Sequence, residues 1–328
     1  MANSSSISVR QLASKLGIST ATFSRALNNH PSVAPQTLLS GSMRGLAEHR
    51  YDLSLIEIDR DRAPDESYTQ FFRRKGVRGV IVRTLGPDAR LAEAIADEDF
   101  PSITVADRSD HDNVNFICSD STRDSQRAVD HLIQLGHRRI ALVVHTVLDS
   151  DHLDRIDGYN RALDLHSFPH DESLVIRQPA GMEGGRLALA QMLAHDDPPT
   201  AVFCTHPLTT VGLLHRCLEL GISVPQQLSV IGFDDSDTRY HTFPRYTAVC
   251  QDAVQFGYEA SRWLTRSLEG IETGSMKLHR PTSLSFNQST GPAPSQPVRV
   301  QHDASPSQID RIHEPRPATA EPEPFTGV

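Results

Sequence analysis

From residue 50 to residue 287 the chain alternates between β-rich runs and helical runs, and this alternation limits the fold more than any other feature. Strands are expected at Leu53–Ile58, Gly79–Arg83, Ser102–Ala106, Val114–Cys118, Ile140–His145, Leu174–Ile176, Ala201–Thr205, Ser229–Phe233 and Thr247–Gln251. Helices are expected between them at Asp88–Glu98, Thr122–Leu135, Asp154–Leu165, Glu183–His195, Leu208–Leu220 and Ala253–Glu269. Strands separated by helices of about 10–15 residues build βαβ units and parallel sheets. Apolar runs without alternation, such as Gly79-Val-Ile-Val, suit strands covered on both faces. So many strands exceed one small sheet. An α/β body of two lobes with a cleft between them is expected, and ligands favour such clefts.

Two different segments flank this body. Residues 288–328 hold eight prolines in 41 residues, with Ser, Gln and Glu around them. Such a stretch buries too little apolar surface to offset its chain entropy and reads as a disordered tail. Residues 1–49 read as a head and a junction. Residues 1–50 carry five basic residues (Arg10, Lys15, Arg25, Arg44, Arg50) against one acid, Glu48, a net of +4. The rest of the chain has 27 basic and 40 acidic residues, a net of −13. A basic head on an acidic body points to a head that meets a polyanion. Chance is the alternative, because the charges are few.

Several classes of protein are disfavoured. No run reaches the ~18 uncharged apolar residues of a membrane span. The longest apolar stretch, Ile140 to Leu148, contains His145. The start, Met-Ala-Asn-Ser-Ser-Ser, has neither the basic region nor the apolar segment of a signal peptide, so a cytoplasmic location is expected. Cys118, Cys204, Cys217 and Cys250 are scattered without a CxxC, which argues against a disulfide framework or a structural zinc site. Cys118, Cys204 and Cys250 are expected as buried thiols. No GxGxxG, GxxxxGK[ST], HExxH or GxSxG motif occurs. Neither the group Asp234, Asp235, Asp237 nor the stretch Asp149, Asp151, His152, Asp154, Asp157 has calcium-loop spacing, and solvated loops and helix caps account for both. No enzymatic activity, cofactor or metal is expected.

The head carries more specific information. Residues 7–29 read ISVRQLASKLGISTATFSRALNN. Val9, Leu12, Ala13 and Leu16 share one helical face, and Gly17 permits a tight turn. Ser19 can cap a second helix from Thr20 to Leu27, whose Phe23, Ala26 and Leu27 meet the first. This is a helix-turn-helix pattern, whose second helix enters the major groove by its N-terminal residues. Thr20, Ala21 and Arg25 point away from the packed face toward base edges, and Arg25 can pair bidentately with guanine. Ser19, Thr22, Ser24 and Asn28 are placed to bond phosphates. A plain helical hairpin with Arg25 in solvent is the structural alternative.

LASKLGISTATFSRALNN resembles the headpiece of the LacI/GalR-type transcriptional regulators, and the resemblance runs on. His131-Leu-Ile-Gln-Leu-Gly-His-Arg-Arg-Ile-Ala-Leu-Val is similar to that family's helix-to-strand segment. Arg155-Ile-Asp-Gly-Tyr-Asn-Arg-Ala-Leu, the stretch Pro199 to Asp235 ending in Ser229-Val-Ile-Gly-Phe-Asp-Asp, and Thr282 to Ser289 resemble three later family segments. Together these cover about residues 7–29 and 50–292. The resemblance implies a small all-α helix-turn-helix head and a two-lobed, periplasmic-binding-protein-like α/β body. It implies a homodimer that binds a pseudo-palindromic double-stranded DNA operator, usually as a repressor, with no membrane involved. It also implies a small-molecule effector, often a sugar or nucleobase. Position by position, the resemblance assigns effector contacts to Asp107, Arg155 and Asp234. Carboxylates accept from hydroxyls, and Arg offers a rigid donor fork. The structural alternatives are a loop cap for Asp107, an ion pair for Arg155 and a strand end for Asp234.

The sequence departs from the family twice. Where the family has Asn-Asp after the second-lobe strand, this chain has His206-Pro207, and His206 remains able to bond an effector. The larger departure is the junction. Pro35-Gln-Thr runs almost directly into Arg44-Gly-Leu-Ala-Glu-His-Arg-Tyr, so that roughly 50 residues of ordinary domain anatomy are missing. The family's third head helix, hinge helix and first strand fall in that gap. Residues 35–50 then serve as a head helix, a lobe-one helix or a compromise, with Gly41 and Gly45 weakening any helix. Lobe one is expected to lack a strand and to expose an edge. The rival to a working regulator is a small-molecule-binding relative that has lost specific DNA binding.

Overall fold

The computed structural model describes residues 36–83 and 90–299. The helix-turn-helix of residues 7–29 lies outside the described residues. Lobe one is a parallel sheet in the order β1 (Val80–Val82), β2 (Ser102–Val105), β3 (Phe116–Asp120) and β9 (Lys277–Pro281). Lobe two has the order β10 (Ser283–Ser285), β8 (Thr247–Cys250), β7 (Ser229–Asp234), β6 (Ala201–Cys204), β4 (Ile140–His145) and β5 (Val175–Gln178). All of its strands are parallel except β10, which runs antiparallel to β8. Lobe one is covered by α1 (Gln36–Ala47), α2 (Ile58–Asp61), α3 (Tyr68–Arg74), α4 (Leu91–Asp97) and α9 (Ala253–Leu268). Lobe two is covered by α5 (Thr122–Gln134), α6 (Ser150–Leu165), α7 (Met182–Leu193) and α8 (Pro207–Glu219). The backbone passes between the lobes after β3, after β8 and after β9.

Period-two alternation explains how one strand serves two cores. Ala141 and Val143 of β4 pack into the cluster beneath α7 and α8, which includes Leu189 and Leu213. Ile140, Leu142 and Val144 pack into the opposite cluster, with Leu132 of α5 and Tyr159 of α6. Every residue of β6 and β7 is buried, as strands covered on both faces must be. Cys118, Cys204 and Cys217 are buried, whereas Cys250, expected to be buried, is half-buried.

The junction resolves in favour of the body. Residues 36–47 form a lobe-one helix, so the body begins well before residue 50. Gly41 and Gly45 are placed by close packing, not against it. A β-carbon on Gly41 would lie 1.9 Å from the Val254 carbonyl oxygen, and one on Gly45 2.2 Å from Ser261 Oγ. Gly257 of α9 returns the fit, since its β-carbon would sit 2.1 Å from the Leu38 carbonyl oxygen. The two helices run in the same direction, with Leu38 beside Gly257 and His49 Nδ1 2.9 Å from Glu269 Oε2 at the other end.

The strand expected at Leu53–Ile58 is not formed. Residues 51–57 are irregular and lead into α2. A strand needs a ladder partner, and among the described residues β1 pairs only with β2. Ile56 and Ile58 instead pack on the cluster of Phe71, Phe72 and Phe100. Helix α3 went unexpected, although its signal was present: Ser67 and Gln70 form a reciprocal capping box just ahead of Phe71-Phe72.

The packed chain also runs past residue 287, so the expected start of a disordered tail at 288 is corrected. Val230 N donates to the Ser289 carbonyl at 2.8 Å, and Ala293 N to the Leu135 carbonyl at 2.9 Å. Val298 packs against the α7–α8 core. These contacts give the Pro-rich stretch backbone partners that its composition did not announce. At their centre is the fully buried His137, whose Nδ1 meets Thr200 Oγ1 at 2.8 Å and whose Nε2 meets the Gly291 carbonyl at 3.1 Å. The carbonyl only accepts, so Nε2 carries the hydrogen.

Burial lowers the pKa of His137, the Gly291 carbonyl opposes this, and the charge of His131 adds to it. A base whose folded pKa lies below its unfolded value is protonated first in the unfolded chain. Its contribution is present above the unfolded value of about 6.5 and is lost as pH falls from there toward the folded pKa. Denaturant unfolding of the native protein and of His137→Gln should therefore give a stability gap that narrows between pH 7 and pH 5. One proton changes it by at most about 1.4 kcal/mol per pH unit. A gap independent of pH would refute this account.

Candidate functional site

The carboxyl ends of the parallel strands of both lobes face one cleft, the usual place for a ligand in open α/β sheets. Arg83 follows β1, Asp107 follows β2 and Ser119 lies near the end of β3. From lobe two come His145 at the end of β4, Thr205 and His206 after β6, and Asp235 after β7. The first turns of α6 supply Asp149, Asp151, His152, Asp154 and Arg155.

Arg155 is the centre of the arrangement. It is buried, its Nη1 donates to the Thr205 carbonyl at 2.7 Å, and its Cζ lies 3.6 Å from the centre of the Phe233 ring. Its Nη2 is 3.6 Å from Asp151 Oδ2. This is the helical i,i+4 spacing that lets an acid and a base meet on one face. Asp151 is 1% exposed, and its Oδ1 accepts from Ser119 N at 3.3 Å. Burial pushes its carboxyl up to about 7; the charge of Arg155 opposes this and that of Asp149 reinforces it. His206 caps the start of α8 and is half-buried. Burial lowers its pKa to about 3, with His152, Arg155 and His145 adding to the effect, so the ring is neutral at ordinary pH. Pro207 takes the first position of α8, where a missing N–H costs nothing.

Five buried polar atoms of this cluster have no hydrogen-bond partner among the described residues. They are Ser119 Oγ, Asp151 Oδ2, His152 Nε2, Arg155 Nε and His206 Nδ1. Buried polar groups are ordinarily satisfied, because leaving one unpaired costs about 1–3 kcal/mol. Five of the eleven such atoms among the described residues fall in this cluster, and one of them, Asp151 Oδ2, has the Arg155 ion pair 3.6 Å away.

Several pairs close the cleft across the lobes. Arg108 holds Asp154 with both terminal nitrogens, at 2.9 and 2.6 Å, and Arg83 holds Asp149 at 3.1 Å. Asp107 Oδ1 accepts from Arg108 N at 2.9 Å and from Ser150 N at 3.1 Å. The expected effector residue Asp107 therefore also serves the loop-and-helix cap that was its structural alternative. Asp234 faces away from Arg155. Its oxygens accept from Thr238 N at 3.0 Å, Arg239 N at 3.2 Å and Arg239 Nη1 at 2.6 Å, so its carboxylate organises its own loop. The neighbouring Asp235 feels the charge of Arg155 instead, and its carboxyl is raised mainly by burial.

The structure thus brings Arg155 and His206 together, sets Asp107 at the lobe contact and turns Asp234 aside. Sequence reasoning missed Arg83, Ser119, Asp149, Asp151, His152 and Asp235. Solvated loops and helix caps are expected for the acid-rich stretch beginning at Asp149, and Asp149 does cap α6. Its Asp157 does pair with Arg161 at the surface, but Asp151 and Asp154 are buried. The i,i+4 spacing from Asp151 to Arg155 was the available signal. The expected DNA-contacting residues Ser19, Thr20, Ala21, Thr22, Ser24, Arg25 and Asn28 lie outside the described residues. Among the described residues, no three His, Cys, Asp or Glu side chains are placed to hold a metal ion, and no helix is long and apolar enough to cross a membrane.

Comparison with known proteins bears on this geometry. Residues 129–290 match the periplasmic binding protein-like domain. The HTH-type transcriptional regulator DegA of Bacillus subtilis is 28% identical over 245 residues, 74% of this chain and 72% of that protein. Catabolite control protein A of Priestia megaterium is 23% identical over 329 residues, covering 87% of this chain and 99% of its own length. Among solved structures, a LacI family transcriptional regulator from Enterococcus faecium with bound ribose superposes with a TM-score of 0.67 at 26% identity. It covers 78% of this chain and 94% of its own.

Proposed function

Starting from a chain that carries the periplasmic-binding-protein-like domain of the LacI-family transcriptional regulators, we propose that it is a homodimeric repressor whose operator affinity is set by a sugar or related polar metabolite bound around Arg155. The observation that carries this reading is the group of five unsatisfied buried polar atoms at the carboxyl ends of the strands. They include acceptors, such as His152 Nε2, and a donor, Arg155 Nε. The surrounding ionised groups do not favour an anion, since Arg83, Arg108 and Arg155 stand among Asp107, Asp149, Asp154 and Asp235. A neutral polyol, giving hydroxyl hydrogens to carboxylates and taking one from Arg155 Nε, suits them better. Arg155 and His206 contact this ligand directly. Asp107 and Asp234 shape the loops that surround it.

The head reads DNA through Thr20, Ala21 and Arg25, while Ser19, Thr22, Ser24 and Asn28 bond phosphates. Fluorescence anisotropy tests this with duplexes from upstream of the protein's own gene and with a random duplex. Each is measured at two salt concentrations, with and without D-ribose. Salt-sensitive preference for one palindromic fragment is expected. Arg25→Ala should weaken that preference by about 1–3 kcal/mol and relax one base position. An equal loss on random DNA would make Arg25 a phosphate contact.

A second reading is favoured by the shortness of the connection. Only residues 30–35 separate the helix-turn-helix pattern from α1, which belongs to lobe one. Six residues are too few to supply both the third head helix and the hinge helix that the resemblance implies. Weak binding, equal on all duplexes, would identify a ligand-binding relative that has lost specific DNA recognition.

A further inference from the structure

Asp149 caps α6 and uses both of its carboxylate oxygens. Oδ1 accepts from His152 N at 2.9 Å and meets His152 Nδ1 at 2.6 Å. Oδ2 accepts from Arg83, on the other lobe, at 3.1 Å. Burial alone would raise this carboxyl; the bond from His152 and the charges of Arg83 and Arg155 outweigh it and hold it well below the usual carboxylate range. An ionised carboxylate only accepts, so His152 Nδ1 carries the hydrogen. The other ring nitrogen, Nε2, is buried and has no hydrogen-bond partner among the described residues.

Burial lowers the pKa of His152; Asp149 opposes this, and the charges of Arg155 and His145 add to it. The groups acting on the ring come from every side. They are Asp149 and Arg155 of α6, His145 of β4 with its ring centre 5.7 Å away, His206 before α8, and Arg83 of lobe one through Asp149. In this closed arrangement burial disfavours the charged ring, and Nε2 is left as a bare acceptor.

On the reading of this cleft as an effector site, we propose that Asp149 is its positioning residue. One carboxylate, bonded to Arg83 of one lobe and His152 of the other, makes the acceptor that His152 offers to a ligand depend on closure of the lobes. When the lobes part, Asp149 loses the cation that partly neutralises it. Its pull on the imidazole strengthens, and the ring takes a second proton from solvent at Nε2. The acceptor becomes a donor, and a ligand hydroxyl loses its bond. Closure reverses the step and returns the proton to solvent. Ligand recognition and lobe closure thereby act through the same oxygen pair.

Imidazole ¹⁵N spectra of the full chain, recorded from pH 5 to pH 8, test this. The His152 signals are assigned by their loss in His152→Asn. The native protein should show His152 neutral at pH 7, with hydrogen on Nδ1, and a midpoint below that of a free imidazole. Arg83→Met removes a cation and should move the midpoint up by about one pH unit, while Asp149→Asn removes an anion and should move it down. Arg83→Lys, which keeps the charge, should stay near the native value. Opposite movements are expected, and in an Asp149→Asn background Arg83→Met should move the midpoint much less, which is the signature of coupling through Asp149. A native ring with hydrogen on Nε2, or two movements of one sign, would overturn the proposal. If Asp149→Asn fails to fold, Arg83→Met leaves the helix cap intact and decides alone, with no upward movement counting against the coupling. D-ribose added to the same samples separates the two ideas: the expected midpoints without any response to ribose support the coupling and count against the polyol ligand.

Discussion

Arg155→Met should cost about 3–5 kcal/mol of stability, because it leaves a buried acid without its partner. In a body of this size that lowers Tm by about 10 °C. The substitution keeps much of the stem's packing on Phe233 but removes the donor to the Thr205 carbonyl and the charge beside Asp151. The deficit should depend on pH. The Asp151 carboxyl, already pushed up to about 7, rises further without Arg155. A carboxyl whose folded pKa is raised favours the fold at low pH, and this contribution is lost as pH rises from its unfolded value of about 3.9 through the folded pKa. Urea unfolding followed by circular dichroism should therefore show a larger deficit at pH 8 than at pH 5.5. Arg161→Met, at an exposed site on the same helix, is the control and should stay within about 0.5 kcal/mol of the native protein. Equal effects from the two variants would remove Arg155 from its central place. Lysine should not rescue position 155, since a point charge can neither stack on Phe233 nor span the Thr205 carbonyl and Asp151 together.

The second large effect is expected at Gly41, and here even the sign is diagnostic. If α1 were an independent helix, Gly41→Ala would stabilise it by about 1 kcal/mol through helix propensity. In the structure the added carbon would meet the Val254 carbonyl oxygen at 1.9 Å, a backbone atom that cannot swing aside. The helices must separate, which uncovers Leu38 and Phe256 in the lobe-one core. A loss of about 3 kcal/mol is expected, at the upper end of ordinary overpacking. Ser42→Ala, on the same helix, only removes a hydroxyl bonded to the Leu38 carbonyl four residues back, and should change stability by under about 1 kcal/mol. Trp263, the single tryptophan, packs in this core and reports the change by fluorescence. A gain of stability in Gly41→Ala would mean that α1 does not pack on α9 in solution.

These two sites show why some of the molecule was legible and some was not. Strands such as Ile140–His145 and Ser229–Asp234 announce themselves because burial on both faces forces an unbroken apolar run. Helix α9 is legible because its apolar face repeats at helical spacing, in Phe256, Ala260 and Leu264. Gly41, Gly45 and Gly257 carry the opposite local signal. Their reason is an approach between helices more than 200 positions apart, which no window of sequence contains. The strand expected at Leu53–Ile58 fails for the same kind of reason. Its side chains suit a strand, but no ladder partner stands beside it among the described residues, and hydrogen bonding outranks propensity. In the cleft, Arg155 and His206 were reachable through resemblance. Asp234 was not decided by identity, because whether its oxygens face Arg155 or Arg239 depends on the turn that follows it. Asp151 looked like one more acid in a polar stretch until helical spacing brought it onto Arg155.

The parallel course of α1 and α9 fixes where the preceding chain must leave the body. Helix α9 starts directly after a crossing between the lobes, so its first residues lie at the cleft end of lobe one and its last at the far tip. Gln36, running alongside, is therefore also at the cleft end. Among the described residues no strand precedes α1, so the chain enters lobe one at the cleft end and not at the tip. Helix α1 has 12 residues and spans about 18 Å. The six residues before it, fully extended, reach about 20 Å. A chain that enters at Gln36 therefore starts beside the segments where the backbone crosses between the lobes, about one helix length from the tip.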